Sequence, residues 1–198
     1  MRIFVDFDYT LCNTVLLKED VVTVAREHGV ELVDLPESRE TYNLIGHYTL
    51  RKHLERSQCP EEKIAAIEKD FFTRAPQWLY PDAVDFFQHS TKHQISVLSY
   101  GDVNFQQRKI EASGIAQLAH EVICTPDTKA DALKKVLPAN AEFMLIDDRA
   151  KHLNEVCEAF PNAKAVRIMR KESPYLAEIT TCAVSLVDDL LFQVDQVK

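Results

Sequence analysis

Two carboxylates stand one residue apart at the end of the first apolar run of the chain, in the string MRIFVDFDYTL. They belong to Asp6 and Asp8, and a hydroxyl group follows at Thr10. Because positions i and i+2 of a strand point to the same side, these two acids would repel each other unless a cation or a chemical task holds them there. The rest of the chain has to supply that cation or task.

Further residues with chemical potential follow the later apolar runs: Ser99, Gly101, Asp102, Lys129, Asp147 and Asp148. In a parallel α/β sheet all strands end on one side, and ligands bind outside those ends, so we expect these residues to meet at one rim. Carboxylates crowded there would raise one another's pKa values unless a hard divalent cation lies among them, and Mg²⁺ is the natural candidate. A rim with this ion, a lysine and hydroxyl groups suits a phosphoryl group.

The elements that must position these residues are short β-rich runs, most of them followed by a helical pattern. The runs are RIFVDFD, QISVLSY, HEVICT, EFMLIDD, AKAVRIM and, more weakly, CAVSLV. This alternation predicts an α/β fold with a Rossmann-like, doubly wound parallel sheet.

The segment between the first two runs is too long for a crossover connection, because it holds roughly eighty residues where about a dozen suffice. It contains helical patterns before Gly29 and after Pro60, and its middle, NLIGHYTLRKHLE, is also interpreted as helical. We therefore predict an all-helical cap over residues 13–79, inserted into a core built from residues 1–12 and 80–198.

Composition narrows the classes of function. The net charge is −8 and no basic cluster occurs, which argues against a nucleic-acid polymer or an anionic membrane as partner and favours a small ligand. The four glycines do not form a P-loop or a G-x-G-x-x-G motif. No apolar run approaches membrane-spanning length, so we predict a cytoplasmic protein. The five scattered cysteines are expected to be reduced and to serve in packing.

The string DFDYTL resembles the first motif, D-x-D-x-T, of the haloacid dehalogenase-like (HAD) superfamily of phosphohydrolases. Ser99 in VLSYG is similar to the second motif of that family, Lys129 to the third, and Asp147-Asp148 in LIDDR to the fourth. The four motifs stand in the family's order, and the long segment after the first resembles its helical, C1-type cap.

The resemblance implies a role for each motif residue. Asp6 would attack phosphorus to give an aspartyl-phosphate, and Asp8 would protonate the leaving oxygen and then take a proton from the hydrolytic water. Thr10 and Ser99 would hold phosphoryl oxygens, Lys129 would neutralise their charge, and Tyr100 is counted with the phosphate-binding residues. Gly101 would either bring its backbone amide to the phosphate or simply permit a tight turn. The ligands of Mg²⁺ would be Asp6, the backbone carbonyl of Asp8, and Asp148, with Asp147 either a water-mediated ligand or an orienting residue.

Two lysines compete for the third motif. Lys109 lies about two turns into the helix predicted to start near Asp102, and so away from the rim. Lys129 lies in the first turn of a helix that begins at the rim, and we choose it.

Other polar residues have a structural interpretation beside a functional one. Asp102 is expected to cap a helix. His89 and His93 stand four residues apart without a third metal ligand, so a solvated helix face is favoured for both. A contact with substrate competes with an ordinary surface position at His47, Tyr48, Arg51, Lys52, Arg149 and His152.

Several functions share this chemistry, and the sequence leaves a phosphomutase, a dehalogenase and a catalytically silent phospho-ligand-binding module open as alternatives. A dehalogenase has no leaving alkoxide to protonate, so Asp8 would be idle there. We therefore predict a Mg²⁺-dependent phosphatase that hydrolyses a small phosphorylated metabolite.

Overall fold

The computed structural model describes residues 1–34 and 47–196. Its strands are β1 (Arg2–Val5), β2 (Gln94–Tyr100), β3 (Glu121–Thr125), β4 (Phe143–Asp147), β5 (Lys164–Ile168) and β6 (Val184–Val187). They form one parallel sheet in the order β3-β2-β1-β4-β5-β6. The predicted parallel α/β sheet is confirmed, and β1 lies between the two strands that carry the second and fourth motifs.

The helices of the described residues are α1 (Thr14–Glu27), α2 (Leu50–Arg56), α3 (Glu61–Thr73), α4 (Pro81–His89), α5 (Val103–Ala112), α6 (Lys129–Lys134) and α7 (Ala150–Ala159). Short 3₁₀ turns occupy Ala75–Trp78, Ile115–Gln117 and Val194–Gln196. Helices α1, α2 and α3 fall within the predicted insert.

Both faces of the sheet are covered. Ile3 and Val5 of β1 pack in an apolar cluster that also holds side chains of α1, α3, α4 and α5. Phe4 points to the opposite face and packs in a second cluster with side chains of α6 and α7. A strand buried on both faces has to be apolar throughout, which explains the continuous apolar run at the start of the chain.

The chain leaves and re-enters the core at neighbouring points. The amide of Asn13 donates to the carbonyl of Trp78 at 2.7 Å, and the amide of Tyr80 donates to the carbonyl of Leu11 at 2.9 Å. These two bonds join the start of the insert to its end. Whether residues 13–79 behave as a separate domain stays a prediction.

Three local expectations need correction. The strand β1 ends at Val5, so Asp6 and Asp8 follow the strand and do not alternate along it. In NLIGHYTLRKHLE, residues 43–46 lie outside the described residues and residues 47–49 are not helical, because α2 begins only after Thr49, whose hydroxyl caps it.

The third correction concerns the cysteines. Cys157 and Cys182 form a disulfide, whereas Cys12, Cys59 and Cys124 are free. Spacing along the chain does not reveal this pair, because 25 residues separate the two and only the packing of α7 brings them together.

None of the described helices combines the length and the apolar character that crossing a membrane requires. The cytoplasmic location stays a prediction.

Candidate active site

The carboxyl ends of β1, β2 and β4 lie level with one another at one edge of the sheet. Val5 stands in register with Val97 on one side and with Ile146 on the other. The amide of Asp6 continues this pairing by donating to the carbonyl of Ile146 at 2.9 Å. The side chain of Asp6 is thereby brought next to the acids that end β4.

The chain turns sharply after Asp6. The carbonyl of Phe7 accepts hydrogen bonds from the amides of Leu11 at 3.0 Å and Cys12 at 2.8 Å, and Tyr9 has a positive φ of 59°. A tyrosine pays a steric penalty in this left-handed conformation, so the surrounding contacts must hold the loop in place. The turn directs Asp8 away from Asp6 and toward helix α5.

Lys129 is the cation that contacts acids at this edge of the sheet. The acids Asp6, Asp147 and Asp148 are together called the acid cluster below. The side chain of Lys129 is fully buried, and its ammonium group donates to Asp6 and, at 2.5 Å, to Oδ2 of Asp147. The first turn of α6 places it there, because the hydroxyl of Thr128 accepts from the amide of Asp131 and starts the helix at Lys129. The lysine chosen for the third motif therefore lies between the first and the fourth.

The acids at this rim offer oxygen atoms suited to a hard cation. One carboxylate oxygen from each of Asp6, Asp147 and Asp148 lies within 4.8 Å of the other two, and all three residues are buried. Carboxylate oxygens are the ligands that Mg²⁺ prefers. The donor set therefore fits this ion.

The pKa values of the three acids are shifted in different directions. Burial raises the pKa of Asp6 to about 7, although Lys129 opposes the shift. Burial and the charges of Asp147 and Asp6 raise the pKa of Asp148 to about 8. Burial would also raise the pKa of Asp147, but Lys129 and then His152 outweigh it and hold the pKa well below its ordinary range. A cation bound here would remove the penalty on Asp6 and Asp148.

Asp147 and Asp148 differ in how many of their carboxylate oxygens accept hydrogen bonds. Oδ1 of Asp147 accepts from the amide of Arg149 at 2.9 Å, and its Oδ2 is taken by Lys129. Asp148 accepts through Oδ2 from the hydroxyl of Ser173 at 2.5 Å, and the described residues provide no hydrogen bond to its Oδ1. Among the described residues, Asp148 thus keeps one carboxylate oxygen without a hydrogen bond, whereas both oxygens of Asp147 accept hydrogen bonds.

We predict that Mg²⁺ raises the melting temperature more at about pH 8 than at about pH 5. The raised pKa values of Asp6 and Asp148 mean that the folded protein binds more protons than the unfolded chain between about pH 4 and pH 8, so stability without metal falls as the pH rises through this window. Mg²⁺ binds the deprotonated carboxylates and opposes that loss. Thermal unfolding with and without Mg²⁺ at the two pH values tests this.

The control for this prediction is an exposed acid. Asp148→Asn should remove most of the Mg²⁺-dependent shift, whereas Asp85→Asn, at an exposed position of α4, should leave it intact. An equal shift at both pH values, or an undiminished shift in D148N, would contradict binding at the acid cluster.

Asp8 forms an ion pair with a second lysine, Lys109. The ammonium group of Lys109 donates to both carboxylate oxygens of Asp8, at 2.7 and 2.8 Å. Burial would raise the pKa of Asp8, but the charge and hydrogen bonds of Lys109 outweigh it and hold the pKa below its ordinary value. The prediction that Lys109 lies away from the rim is wrong, because helical side chains lean toward the N-terminus of their helix and a lysine stem spans the remaining distance.

The predicted phosphoryl-binding residues have different surroundings. Ser99 is buried, and its hydroxyl donates to Oε1 of Gln106 at 3.0 Å. Thr10 is fully buried, and its hydroxyl has no hydrogen-bond partner among the described residues. Tyr100 and Gly101 line the cavity described below. The phosphoryl-binding role of these residues stays a prediction.

A cavity of about 720 Å³ opens above the rim, between it and the insert. Asp6, Asp8 and Asp148 line its core side, while α1 contributes apolar side chains such as Leu17 and Val21. Of the residues left open by the sequence, four line the cavity: His47, Tyr48, Arg149 and His152. The site therefore combines a charged end with a partly apolar one.

The other polar residues considered from the sequence do not line this cavity. Arg51 pairs with Glu61 at 2.9 Å, and Lys52 donates to the carbonyl of His47 at 3.3 Å. Nδ1 of His89 contacts the carbonyl of Asp85 within its own helix. The predicted helix face is wrong for His93, because the helix ends at His89 and the His93 side chain, only 8% exposed, lies 3.3 Å from Asp195. Asp102 caps α5, as expected, by accepting from the amide of Phe105.

Further side chains in contact with the acids were not singled out from the sequence for these contacts. Gln106 and Thr14 donate to Asp8, Ser173 donates to Asp148, and the ring of His152 contacts Asp147 at 3.2 Å. The spacing of Gln106 and Lys109, three apart on one helix face, was a usable signal for Gln106 once Lys109 was placed. No local pattern marks Ser173.

Known proteins resemble this chain in structure. No family model matches the chain, and no curated protein sequence matches it. A haloacid dehalogenase-like hydrolase from Burkholderia xenovorans LB400 superposes with a TM-score of 0.70 at 21% identity, over 95% of this chain and 92% of that chain. The chain has the HAD fold.

Two further similar structures are a dehalogenase and a protein in complex with phosphate. L-2-haloacid dehalogenase from Xanthobacter autotrophicus gives a TM-score of 0.63 at 14% identity, and CbbY from Rhodobacter sphaeroides, in complex with phosphate, gives 0.61 at 15%. Both comparisons cover 96% of this chain and 94% of the other. At these identities the likeness establishes the HAD fold, and the activity has to be argued from the site.

Proposed function

We propose that this HAD-fold protein is a Mg²⁺-dependent hydrolase of phosphate monoesters of a small metabolite. The observation that carries the proposal is the pair of acids on the core side of the cavity. Asp6 lies against the buried cation Lys129, and Asp8, which also faces the cavity, has a separate cation. Two carboxyl groups in different electrostatic surroundings suit two different roles in one reaction.

In the first step, a carboxylate oxygen of Asp6 attacks phosphorus, and the bond from phosphorus to the ester oxygen breaks. The leaving oxygen takes a proton from Asp8. Because the pKa of Asp8 is lowered in the free protein, this group gains its proton only when the substrate arrives. The negative charge of a phosphate beside Asp8 raises the pKa of the acid in the required direction.

In the second step, water attacks phosphorus of the aspartyl-phosphate and the bond to Asp6 breaks. The proton of the water passes to Asp8, and inorganic phosphate leaves. Lys129 stays in place throughout and offsets the charge that changes hands at Asp6.

A magnesium ion would be held by Asp6, Asp148 and the backbone carbonyl of Asp8. When bound, it would supply positive charge to the phosphoryl oxygens. In this proposal Asp147 is the orienting residue and not a direct ligand, since both of its oxygens already accept hydrogen bonds.

The test is a panel of substrates measured with and without Mg²⁺. We expect Mg²⁺-dependent release of inorganic phosphate from some of a set of aryl phosphates, sugar phosphates, nucleotides and phospho-acids. Halide release from short 2-haloacids without phosphate release would favour a dehalogenase. Phosphate transfer to the substrate instead of to water would favour a phosphomutase, and no turnover of any compound would favour a binding module.

A further inference from the structure

We infer that Lys109 and Gln106 together form a positioning unit for the proton-transferring carboxyl of Asp8. This inference rests on the proposed function and adds residues to it that lie outside the four motifs. Both residues stand on α5, three positions apart, so their side chains share one face of the helix. Asp8 is more than a hundred residues away from Lys109 in the chain, and the fold alone brings them together.

The surroundings of the Lys109 ammonium group favour a positive charge. The side chain of Lys109 is only 3% exposed, while that of Asp8 is 27% exposed toward the cavity. The ammonium group lies 5.5 Å from the ring centre of Phe7 and 5.3 Å from that of Phe105, within the range of cation–π attraction. Lys109 thus lies in the wall of the cavity beside Asp8, almost completely buried, with both hydrogen bonds of its ammonium group directed to the acid through which it acts.

Gln106 connects the acid to the second motif. Its amide nitrogen donates to Oδ2 of Asp8 at 3.2 Å and to the carbonyl of Tyr100 at 3.3 Å, while its amide oxygen accepts from the hydroxyl of Ser99. The orientation of the Ser99 hydroxyl and that of the Asp8 carboxylate are therefore coupled through one side chain.

Gly101 makes room for this arrangement. A Cβ atom at this position would lie 2.6 Å from Nε2 of Gln106, so the side-chain amide of Gln106 would have to move away from Asp8. The φ of +148° at Gly101 is also one that residues with a side chain rarely adopt. The glycine after the second motif is thus explained by the side chain that folds over it.

The hydroxyl of Thr14 completes the set of donors by reaching Oδ1 of Asp8 at 3.3 Å. Lys109, Gln106 and Thr14 approach the carboxylate from α5 and from the start of α1. A carboxyl held in this way has a fixed direction relative to the leaving group, which is what proton transfer in a transition state requires.

The test is the dependence of kcat on the leaving group. Lys109→Met should lower kcat about 100-fold for alkyl and phenyl phosphates, whose leaving oxygens need a proton, because a misdirected group loses about that factor. With 2,4-dinitrophenyl phosphate, whose leaving group needs no proton, kcat should hardly change. Gln106→Leu should show the same pattern with a smaller loss, and Lys109→Arg should recover part of the activity.

The matched controls lie on the surface and on the same helix. Lys92 pairs with Asp195 at 2.6 Å with both side chains exposed, so Lys92→Met removes a lysine–aspartate pair outside the site. Gln107 neighbours Gln106 and bonds to Glu111 of its own helix, so Gln107→Leu is the control for Gln106→Leu. Both controls should retain wild-type kcat for every leaving group.

A double-mutant cycle decides whether Lys109 acts through Asp8. In the D8N background, K109M should cause no further loss of kcat, because the group that it positions is gone. The double variant also leaves no unpaired buried charge, so it should melt at a higher temperature than K109M alone. An equal loss across leaving groups, or a full additional loss in the D8N background, would overturn the inference.

These outcomes are distinct from a failure of the proposed function. If the wild-type protein releases no phosphate from any aryl or alkyl phosphate, the proposed function and this inference both fail. If the wild-type protein is active and K109M behaves like K92M, the inference alone fails.

Discussion

Replacing Asp6 with Asn is expected to lower phosphate release by at least about 10⁴-fold, because an amide is not a nucleophile and the aspartyl-phosphate cannot form. The substitution keeps the shape of the side chain. Since burial raises the pKa of Asp6 to about 7, the fold disfavours its charged form, and a neutral amide should leave the melting temperature unchanged or higher. Single-turnover phosphate release and thermal unfolding are the two measurements.

The control is Asp85→Asn, which changes an exposed acid of α4 in the same way and should keep full activity. Intact-mass analysis of the wild-type protein quenched during turnover should detect the added phosphoryl group, and the D6N protein should not carry it. Substantial turnover by D6N, or a phosphoryl group that forms on D6N, would show that another residue is the nucleophile.

Replacing Lys129 with Met is expected to cost about 3–5 kcal/mol in the free energy of unfolding and to abolish activity. The ammonium group of Lys129 is fully buried and donates to Asp6 and Asp147. Its loss leaves buried carboxylates facing one another without their cation. Urea unfolding at neutral pH measures the effect on stability.

Lys134 provides the comparison on the same helix, because its side chain is 57% exposed and its ion-pair partner among the described residues is Asp131. Lys134→Met should change the free energy of unfolding by no more than about 0.5 kcal/mol. Adding Asp147→Asn to K129M should restore part of the lost stability by removing one stranded charge. If K129M and K134M unfold at the same urea concentration, the buried lysine is not the cation that holds the acids together.

Much of the rim was predictable from the sequence because it depends on the order of strands and on backbone geometry. Apolar runs that end in polar residues predict strand ends, and parallel strands bring their carboxyl ends to one edge. Asp6 and Asp147 meet there because β1 and β4 are neighbours in register. Lys129 was expected at the rim because the first turn of a helix that begins there lies close to that edge, and its side chain does contact Asp6 and Asp147. Its role in the third motif stays a prediction.

The surroundings of Asp8 were not predictable in this way. Alternation along a strand implied that Asp6 and Asp8 share one side, but β1 ends at Val5 and the turn at Tyr9 directs Asp8 toward α5. The contact of Lys109 with Asp8 was not predictable either, because a position along a helix fixes the backbone of a lysine but not where its long side chain ends.

The sequence by itself determined the parallel sheet, the order of its motifs and the residues that end its strands, since these follow from local patterns and the rules of strand pairing. Only the tertiary structure decided which cation serves which acid: Lys129 for Asp6 and Asp147, and Lys109 for Asp8. The physical reason is that these ion pairs join residues far apart in the sequence. An ion pair depends on where two side-chain tips meet, and the tips of Lys109 and Asp8 meet across 101 positions of the chain, which no local pattern records.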